Sequence, residues 1–155
     1  MYLTNGFPVV SLEIPSIFLL PESRNGYFTG REDDLGELRS KLFDRRNGIH
    51  NHTVALSGLG GVGKTELARE YCYRSRDDYR YIFWVNGMGT AQLLQDFCSM
   101  AMVSGWAEKN EPNPKTVMKS FWFGWFRIHV KWLLVVDNLD QPIEHRRADT
   151  PVRSL

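Results

Sequence analysis

The chain alternates short apolar runs with segments of helical periodicity. Residues 53–57 form a β-prone run, and residues 81–85 and 131–137 are almost continuously apolar. Their length and their boundaries predict three strands. Apolar residues at successive positions are typical of strands that are buried on both faces of a parallel sheet.

Four segments carry apolar residues at helical spacing. The first helix is predicted to begin at Thr29 or at the Asp33-Asp34 pair and to end at Asn47-Gly48. Strands and helices that alternate along a chain predict an α/β fold with a parallel sheet, in which ligands bind beyond the carboxyl ends of the strands. The other three helices are predicted at residues 64–76, 90–103 and 116–130.

Composition limits the class of protein. The 155 residues are 43% hydrophobic and 24% charged, which is ordinary for one soluble domain. Nineteen basic and eighteen acidic residues leave a formal charge of +1, so no global field attracts nucleic acid or an anionic membrane. No apolar run approaches the roughly 20 residues of a membrane-spanning helix. We therefore expect a cytoplasmic protein with no nucleic-acid and no membrane partner.

A glycine-rich segment lies between the first predicted strand and the second predicted helix. It matches the pattern G-x-x-x-x-G-K-[ST], and a strand before it and a helix after it are the context of a P-loop. Glycines let successive N–H groups point at one anion, and the helix dipole adds positive potential. Lys64 would reach the β- and γ-phosphates and Thr65 would bind Mg²⁺, so the predicted ligand is a purine nucleoside triphosphate with magnesium. The segment is Gly58-Leu59-Gly60-Gly61-Val62-Gly63-Lys64-Thr65.

Asp137 closes the third predicted strand, where P-loop proteins carry a carboxylate that serves Mg²⁺. Asn138 follows it, so no carboxylate stands next to Asp137 to polarise an attacking water. Asp140 is the nearest substitute, and it comes two positions too late. The sequence therefore predicts a weak ATPase at most, with no assigned catalytic residue.

Four motifs, in this order, resemble the NB-ARC branch of the STAND class of signalling ATPases, and in particular the nucleotide domains of fungal NOD-like receptors. The resemblance covers about residues 21–140. The motifs are Phe28-Thr29-Gly30-Arg31-Glu32, the P-loop with the run before it, Phe83-Trp84-Val85-Asn86, and Trp132-Leu133-Leu134-Val135-Val136-Asp137-Asn138.

The resemblance implies a three-layer P-loop NTPase fold and an ADP/ATP-controlled switch. In that family ADP holds a closed monomer, and exchange for ATP opens it for assembly into signalling homo-oligomers of the kind that serve innate immunity. By matching position, Gly30 and Arg31 would lie by the adenine and ribose. Gly60 to Thr65 would bind phosphates, and Asp137 would serve Mg²⁺.

The sequence departs from the family after Asp140, where no sensor strand and no helical domains can be identified. In this class the strand between the P-loop strand and the Asp137 strand comes later in the chain. We therefore expect an incomplete fold and a truncated gene product. The predicted organisation is an extended leader at 1–28, a partial NB-ARC domain at 29–140 and an unstructured tail at 141–155.

Two other functions compete with the switch module. A small metabolic phosphotransferase also carries a P-loop, but it needs an acceptor site and a mobile lid with arginines. A non-enzymatic interaction fragment would fold on the P-loop scaffold, use its aromatic helix as a partner surface and have lost productive nucleotide binding. The four ordered motifs favour the switch.

Overall fold

The computed structural model describes residues 16–43, 53–107, 113–125 and 131–139. Within these ranges the chain is an α/β structure with one parallel sheet. The strands are β1 (Ile17–Leu19), β2 (Tyr81–Asn86) and β3 (Trp132–Asp137), and the α-helices are α1 (Glu32–Leu42), α2 (Lys64–Arg74), α3 (Thr90–Val103) and α4 (Pro114–Trp125).

The three strands are parallel and lie in the order β1-β2-β3. Tyr81 of β2 is the register partner of Ile17 on one side and of Trp132 on the other. Asn86 and Asp137, the last residues of β2 and β3, are also partners. The carboxyl ends of the strands therefore meet at one edge of the sheet.

The core lies on both faces of β2, whose first five residues are all buried. Because successive side chains of a strand point to opposite faces, these residues divide between two apolar clusters. One cluster joins Phe83 to Phe97 of α3 and Phe121 of α4. The other joins Trp84 to residues of α1 and α2, including Leu35, Leu38, Leu67 and Tyr71. Helices thus cover both faces of the sheet.

Most of the predicted elements are confirmed, with small differences at their ends. The bounds of α3 agree with the prediction, β2 extends one residue further, and α2 ends at Arg74 instead of residue 76. Helix α4 begins at Pro114, two residues before the predicted start. Its predicted end and the predicted end of α1 lie outside the described residues.

The predicted caps of α1 are wrong. The helix begins at Glu32, and the residue before it is Arg31 with φ 59° and ψ 30°, whose side chain forms no cap hydrogen bond. The polar side chains at Thr29 and Asp33 suggested a cap, but Gly30 and Arg31 form a tight left-handed turn that directs the chain into the helix.

One strand was missed and one was predicted wrongly. The three residues of β1 lie in the segment predicted as an extended leader, and a run this short has no recognisable period. Residues 53–57 were predicted as a strand, but in the described part of the chain they form no strand and pair with none. A strand needs a partner for its backbone groups, and local sequence does not supply one.

The absent pairing leaves β3 as an edge strand among the described residues. Continuous burial was expected for this run, yet only Leu133 is buried and Val136 is 41% exposed. Residues 1–15 of the leader, Asp140 and the predicted tail at 141–155 lie outside the described residues. Among the helices of the described ranges, none has the length and apolar character that a membrane span requires.

Candidate nucleotide site

The glycine-rich loop connects residues 53–57 to the first turn of α2. Gly58, Gly61 and Gly63 have φ values of 148°, 78° and 86°. Residues that carry a side chain rarely adopt such positive φ values, so glycine is required at these three positions. The amide of Leu67 donates to the Gly63 carbonyl at 2.9 Å, which connects the loop directly to the helix.

Lys64, the first residue of α2, turns its side chain back over the loop. Its Nζ donates to the carbonyl oxygens of Gly58 at 2.9 Å and Leu59 at 3.0 Å. The ammonium group thereby lies inside the curve of the loop. Leu59 itself is 85% exposed, and Gly60 and Gly61 are also exposed, so the loop is open to solvent.

Thr65 and Asp137 are 72 residues apart in sequence and in contact in space. The Thr65 hydroxyl lies 3.2 Å from each oxygen of the Asp137 carboxylate. Strand β3 ends at Asp137, and α2 begins one residue before Thr65. A hydroxyl and a carboxylate are the hard oxygen donors that Mg²⁺ prefers, so the pair can hold this ion.

Among the described residues no group of three His, Cys, Asp or Glu side chains could hold a metal ion. An ion at Thr65 and Asp137 would thus complete its coordination with water and with phosphate oxygens, as Mg²⁺ commonly does.

Asn138 follows the carboxylate in a left-handed conformation, with φ 57°. Its backbone N–H donates to Asp137 Oδ1 at 2.9 Å, which helps to orient the carboxylate. Its side chain is an amide, which cannot accept a proton from an attacking water.

Gly30 and Arg31 lie next to the loop, although they are about thirty positions away from it in sequence. Gly30 has φ 73° and Arg31 has φ 59°. The Arg31 guanidinium donates from Nη1 to the Val62 carbonyl at 3.1 Å and from Nε to Asp34 Oδ2 at 2.8 Å. The structure thus brings Arg31 onto the backbone of the loop. A contact with adenine or ribose remains a prediction.

Two cavities flank the loop. The larger, of about 530 Å³, lies at the carboxyl ends of the strands and will be called the strand-end cavity. The smaller, of about 280 Å³, lies between α1 and the loop and will be called the α1 cavity. Thr65 and Asp137 line the strand-end cavity, and Arg31 and Lys64 line the α1 cavity.

The strand-end cavity contains polar residues that sequence reasoning missed. Asp96 of α3 accepts hydrogen bonds from the backbone N–H of Asn86 at 2.7 Å and from Gln92 Nε2 at 2.8 Å. Asn86 ends β2, so the α3 carboxylate ties the helix to the strand end. Asn86 belonged to a recognised motif, but nothing in the local sequence connected Asp96 to it.

Arg69 also lines this cavity and is only 7% exposed. Its guanidinium forms ion pairs with Glu22 at 2.9 Å and Glu66 at 2.6 Å. It stands four residues after Thr65, on the same face of α2, and this spacing was a signal that could have identified it.

Glu70, the next residue of α2, anchors the chain segment that follows β1. Arg24 donates to both of its carboxylate oxygens, at 2.7 and 3.0 Å, and Arg74 donates to it at 2.7 Å. The hydrogen bond from Arg24 is the main cause that lowers the pKa of Glu70 from 4.5 to about 2, against the opposing effect of burial. The segment after β1 is therefore held against the helix of the P-loop by charge.

No protein-family model matches the chain, and no solved structure matches it. The chain is 30% identical over 128 residues to a "Nucleotide-binding leucine-rich repeat (NLR)-like protein" of the fungus Hyaloscypha variabilis. The match covers 79% of this chain and 13% of that relative. The comparison therefore supports a relationship to an NLR-like protein, and the chain spans about an eighth of the length of the relative.

Proposed function

We propose that this chain is the phosphate-binding part of an ATP- and ADP-binding signalling switch of the NB-ARC type, with little or no hydrolysis of its own. The observation that carries the proposal is the contact of Thr65 with Asp137 beside the glycine loop. It joins the Thr65 hydroxyl of the predicted P-loop to the Asp137 carboxylate at the end of β3, which was predicted to serve Mg²⁺. Neither motif by itself required this contact.

The loop has the properties of an anion site. Gly58, Gly61 and Gly63 hold backbone conformations that bring N–H groups together, and α2 begins at Lys64 with its positive dipole end. Lys64 and Thr65 would bind the phosphates and Mg²⁺. Gly60 and Val62 would contribute backbone N–H groups.

The two cavities suggest how a nucleotide would lie. Mg²⁺ and the terminal phosphate would face the strand-end cavity, because Thr65 and Asp137 line it. The nucleoside would extend toward the α1 cavity, near Gly30 and Arg31, the two residues that precede α1. A three-layer P-loop NTPase fold belongs to this proposal, and the helices that cover both faces of the sheet are compatible with it.

The name of the fungal relative supports the switch over other uses of a P-loop. It refers to nucleotide binding and to leucine-rich repeats, and the matched part is a small share of that protein. ADP and ATP as alternating ligands, assembly into homo-oligomers, a signalling partner and a cytoplasmic location all belong to this proposal.

A non-enzymatic interaction fragment is the second candidate. Among the described residues no strand pairs with the outer edge of β3 or with residues 53–57, and this favours the second candidate because both segments could offer backbone groups to a partner strand. In this function the loop would bind nucleotide poorly.

Thermal unfolding with and without ligand separates the two. A ligand that binds only the folded protein stabilises it by about 2.7 kcal/mol at 100 times its Kd. We expect ADP or ATP with Mg²⁺ to raise the Tm of the parent chain and to leave Lys64→Ala almost unchanged, while both apo proteins unfold at similar temperatures. Lys119→Ala, which removes an exposed lysine of α4 that lines neither cavity, is the control and should respond like the parent. An equal response in Lys64→Ala and the parent, or no response in either, would exclude the P-loop function.

A further inference from the structure

Arg31 is held in an unusual backbone conformation next to the loop. Its φ of 59° lies in the left-handed region, which is unfavourable for a residue other than glycine. Its guanidinium is fixed at two points, to Asp34 Oδ2 at 2.8 Å and to the Val62 carbonyl at 3.1 Å. The backbone conformation of Arg31 and its two hydrogen bonds together hold the guanidinium against the Val62–Gly63 peptide.

The loop has room for this contact only because residue 63 is glycine. A Cβ at this position would lie 3.3 Å from Arg31 Nη1, and the φ of Gly63 is +86°. The same nitrogen lies 3.5 Å from the Gly63 carbonyl, whose principal donor is the Leu67 amide at 2.9 Å. The guanidinium therefore packs against the backbone where the loop enters α2.

A trans peptide is planar, so its C=O and N–H groups point in opposite directions. The carbonyl of Val62 points toward Arg31. The N–H of Gly63, on the other side of the same peptide bond, is therefore directed away from Arg31. A hydrogen bond that fixes the carbonyl also fixes the direction of this N–H.

We propose that Arg31 is a positioning residue for phosphate binding, which orients the Val62–Gly63 peptide so that the Gly63 N–H faces the phosphates. The inference rests on the proposed nucleotide function and assigns Arg31 a role different from contact with the nucleoside. Asp34 takes part, because it holds the Arg31 side chain in the orientation that reaches Val62.

Binding of two ligands tests this role. ADP with Mg²⁺ and inorganic pyrophosphate are titrated calorimetrically into the parent, Arg31→Ala and Arg39→Ala. Arg39 lies on α1, the helix that follows Arg31, but it pairs with Asp78, so it is the matched control. We expect Arg31→Ala to lose about tenfold in affinity for both ligands, the effect of one hydrogen bond, and Arg39→Ala to bind like the parent. A loss confined to ADP would show that Arg31 contacts the nucleoside and would overturn the proposal.

Asp34→Ala, which removes both the charge and the hydrogen-bond acceptor, separates positioning from simple charge attraction. If Arg31 acted only as a positive charge near the phosphates, removal of the neighbouring carboxylate would raise the affinity for pyrophosphate. Positioning predicts the opposite, a severalfold loss, because the guanidinium is no longer held toward Val62. An increase in affinity would overturn the proposal.

A measurement on the ligand-free protein makes the inference independent of nucleotide binding. In amide NMR spectra, Arg31→Ala should shift the resonances of Gly63 and Lys64 more than that of Gly58, and Arg39→Ala should shift none of them. Unchanged Gly63 and Lys64 resonances would overturn the role of Arg31, even if nucleotide binds. If neither ligand binds the parent but these resonances shift, the proposed function fails while the peptide contact stands.

Discussion

Asp137 shows how a weak signal gains a role from its neighbours. A carboxylate after an apolar strand is common, but here it lies 3.2 Å from the Thr65 hydroxyl of the predicted P-loop. Asn138 supports the carboxylate through its backbone N–H and has no basic group of its own to activate water. At this scale the proposed function predicts that Thr65 and Asp137 hold Mg²⁺ and that hydrolysis is slow.

Asp137→Asn should weaken nucleotide binding only when Mg²⁺ is present. The amide keeps an oxygen that can accept from Thr65, but it loses the charge that attracts the ion. One charged interaction is typically worth about 1.5–3 kcal/mol, so we expect a loss of at least tenfold in ADP affinity with Mg²⁺. Calorimetric titration in Mg²⁺ and in chelator measures it.

Asp96→Asn is the control for this experiment, because Asp96 lies in the same cavity and accepts a hydrogen bond from the Asn86 amide. Its effect should be the same with and without Mg²⁺. A loss for Asp137→Asn that persists unchanged in chelator would mean that the aspartate is structural.

At the scale of elements, α2 connects the loop to the segment after β1. Glu70 is 3% exposed and accepts from Arg24 and Arg74. Because the pKa of Glu70 is lowered to about 2 in the folded chain, its ionised form stabilises the fold. This contribution is complete above about pH 4.5 and is lost as the pH falls toward about 2.

Glu70→Gln should therefore lower the free energy of unfolding by about 2 kcal/mol at pH 7, as expected for hydrogen bonds to a buried charge. The difference from the parent should shrink as the pH falls below 4.5. Urea unfolding from pH 7 to pH 3 measures it. Glu37→Gln removes only the exposed pair with Lys41 and should change stability by less than about 1 kcal/mol at every pH. A pH-independent deficit in Glu70→Gln would contradict the ionic role.

Helix α4 packs against α3 through Phe121. This side chain is 1% exposed, and its ring centroid lies 5.5 Å from that of Phe97 and 5.4 Å from that of Trp106. Phe121→Ala should cost about 3–5 kcal/mol, the range for a large aromatic removed from a core. Phe123→Ala, on the same helix at a position 63% exposed, should cost far less. Equal costs in urea unfolding would show that α4 does not pack as described.

For the molecule as a whole, the described sheet has an open edge beside the site. No described strand pairs with the outer edge of β3, and the loop glycines Gly58, Gly60 and Gly61 are exposed to solvent. Phosphoryl transfer to water needs charge stabilisation at the γ-phosphate and a group that orients the nucleophile. Lys64 and Mg²⁺ would provide part of the first, and Asn138 does not provide the second.

The purified 155-residue chain should therefore hydrolyse ATP far below the median enzyme rate of about 10 s⁻¹. Asn138→Asp should raise this rate little, because a carboxylate alone does not position the water. Phosphate release under multiple-turnover conditions measures it. Sustained turnover that Lys64→Ala abolishes would identify the chain as a working ATPase.

Much of the fold was accessible from local patterns. The strand β2 and the helix α3 were predicted because a buried strand and an amphipathic helix each have a characteristic order of apolar and polar residues, which can be recognised within the segment itself. Residues 53–57 have the composition of a strand and fail to form one, because pairing depends on a partner. Conversely, β1 is too short to be recognised and exists through its pairing with β2.

The sequence by itself determined the glycine loop, the lysine and threonine that follow it, and the apolar strand that ends in Asp137, because each is a short pattern with its own chemistry. Tertiary structure decided that Thr65 meets Asp137, that Arg31 reaches the Val62 carbonyl and that Asp96 joins the strand end. These contacts join residues between 10 and 72 positions apart, and the distance between such residues depends on how the helices and strands pack.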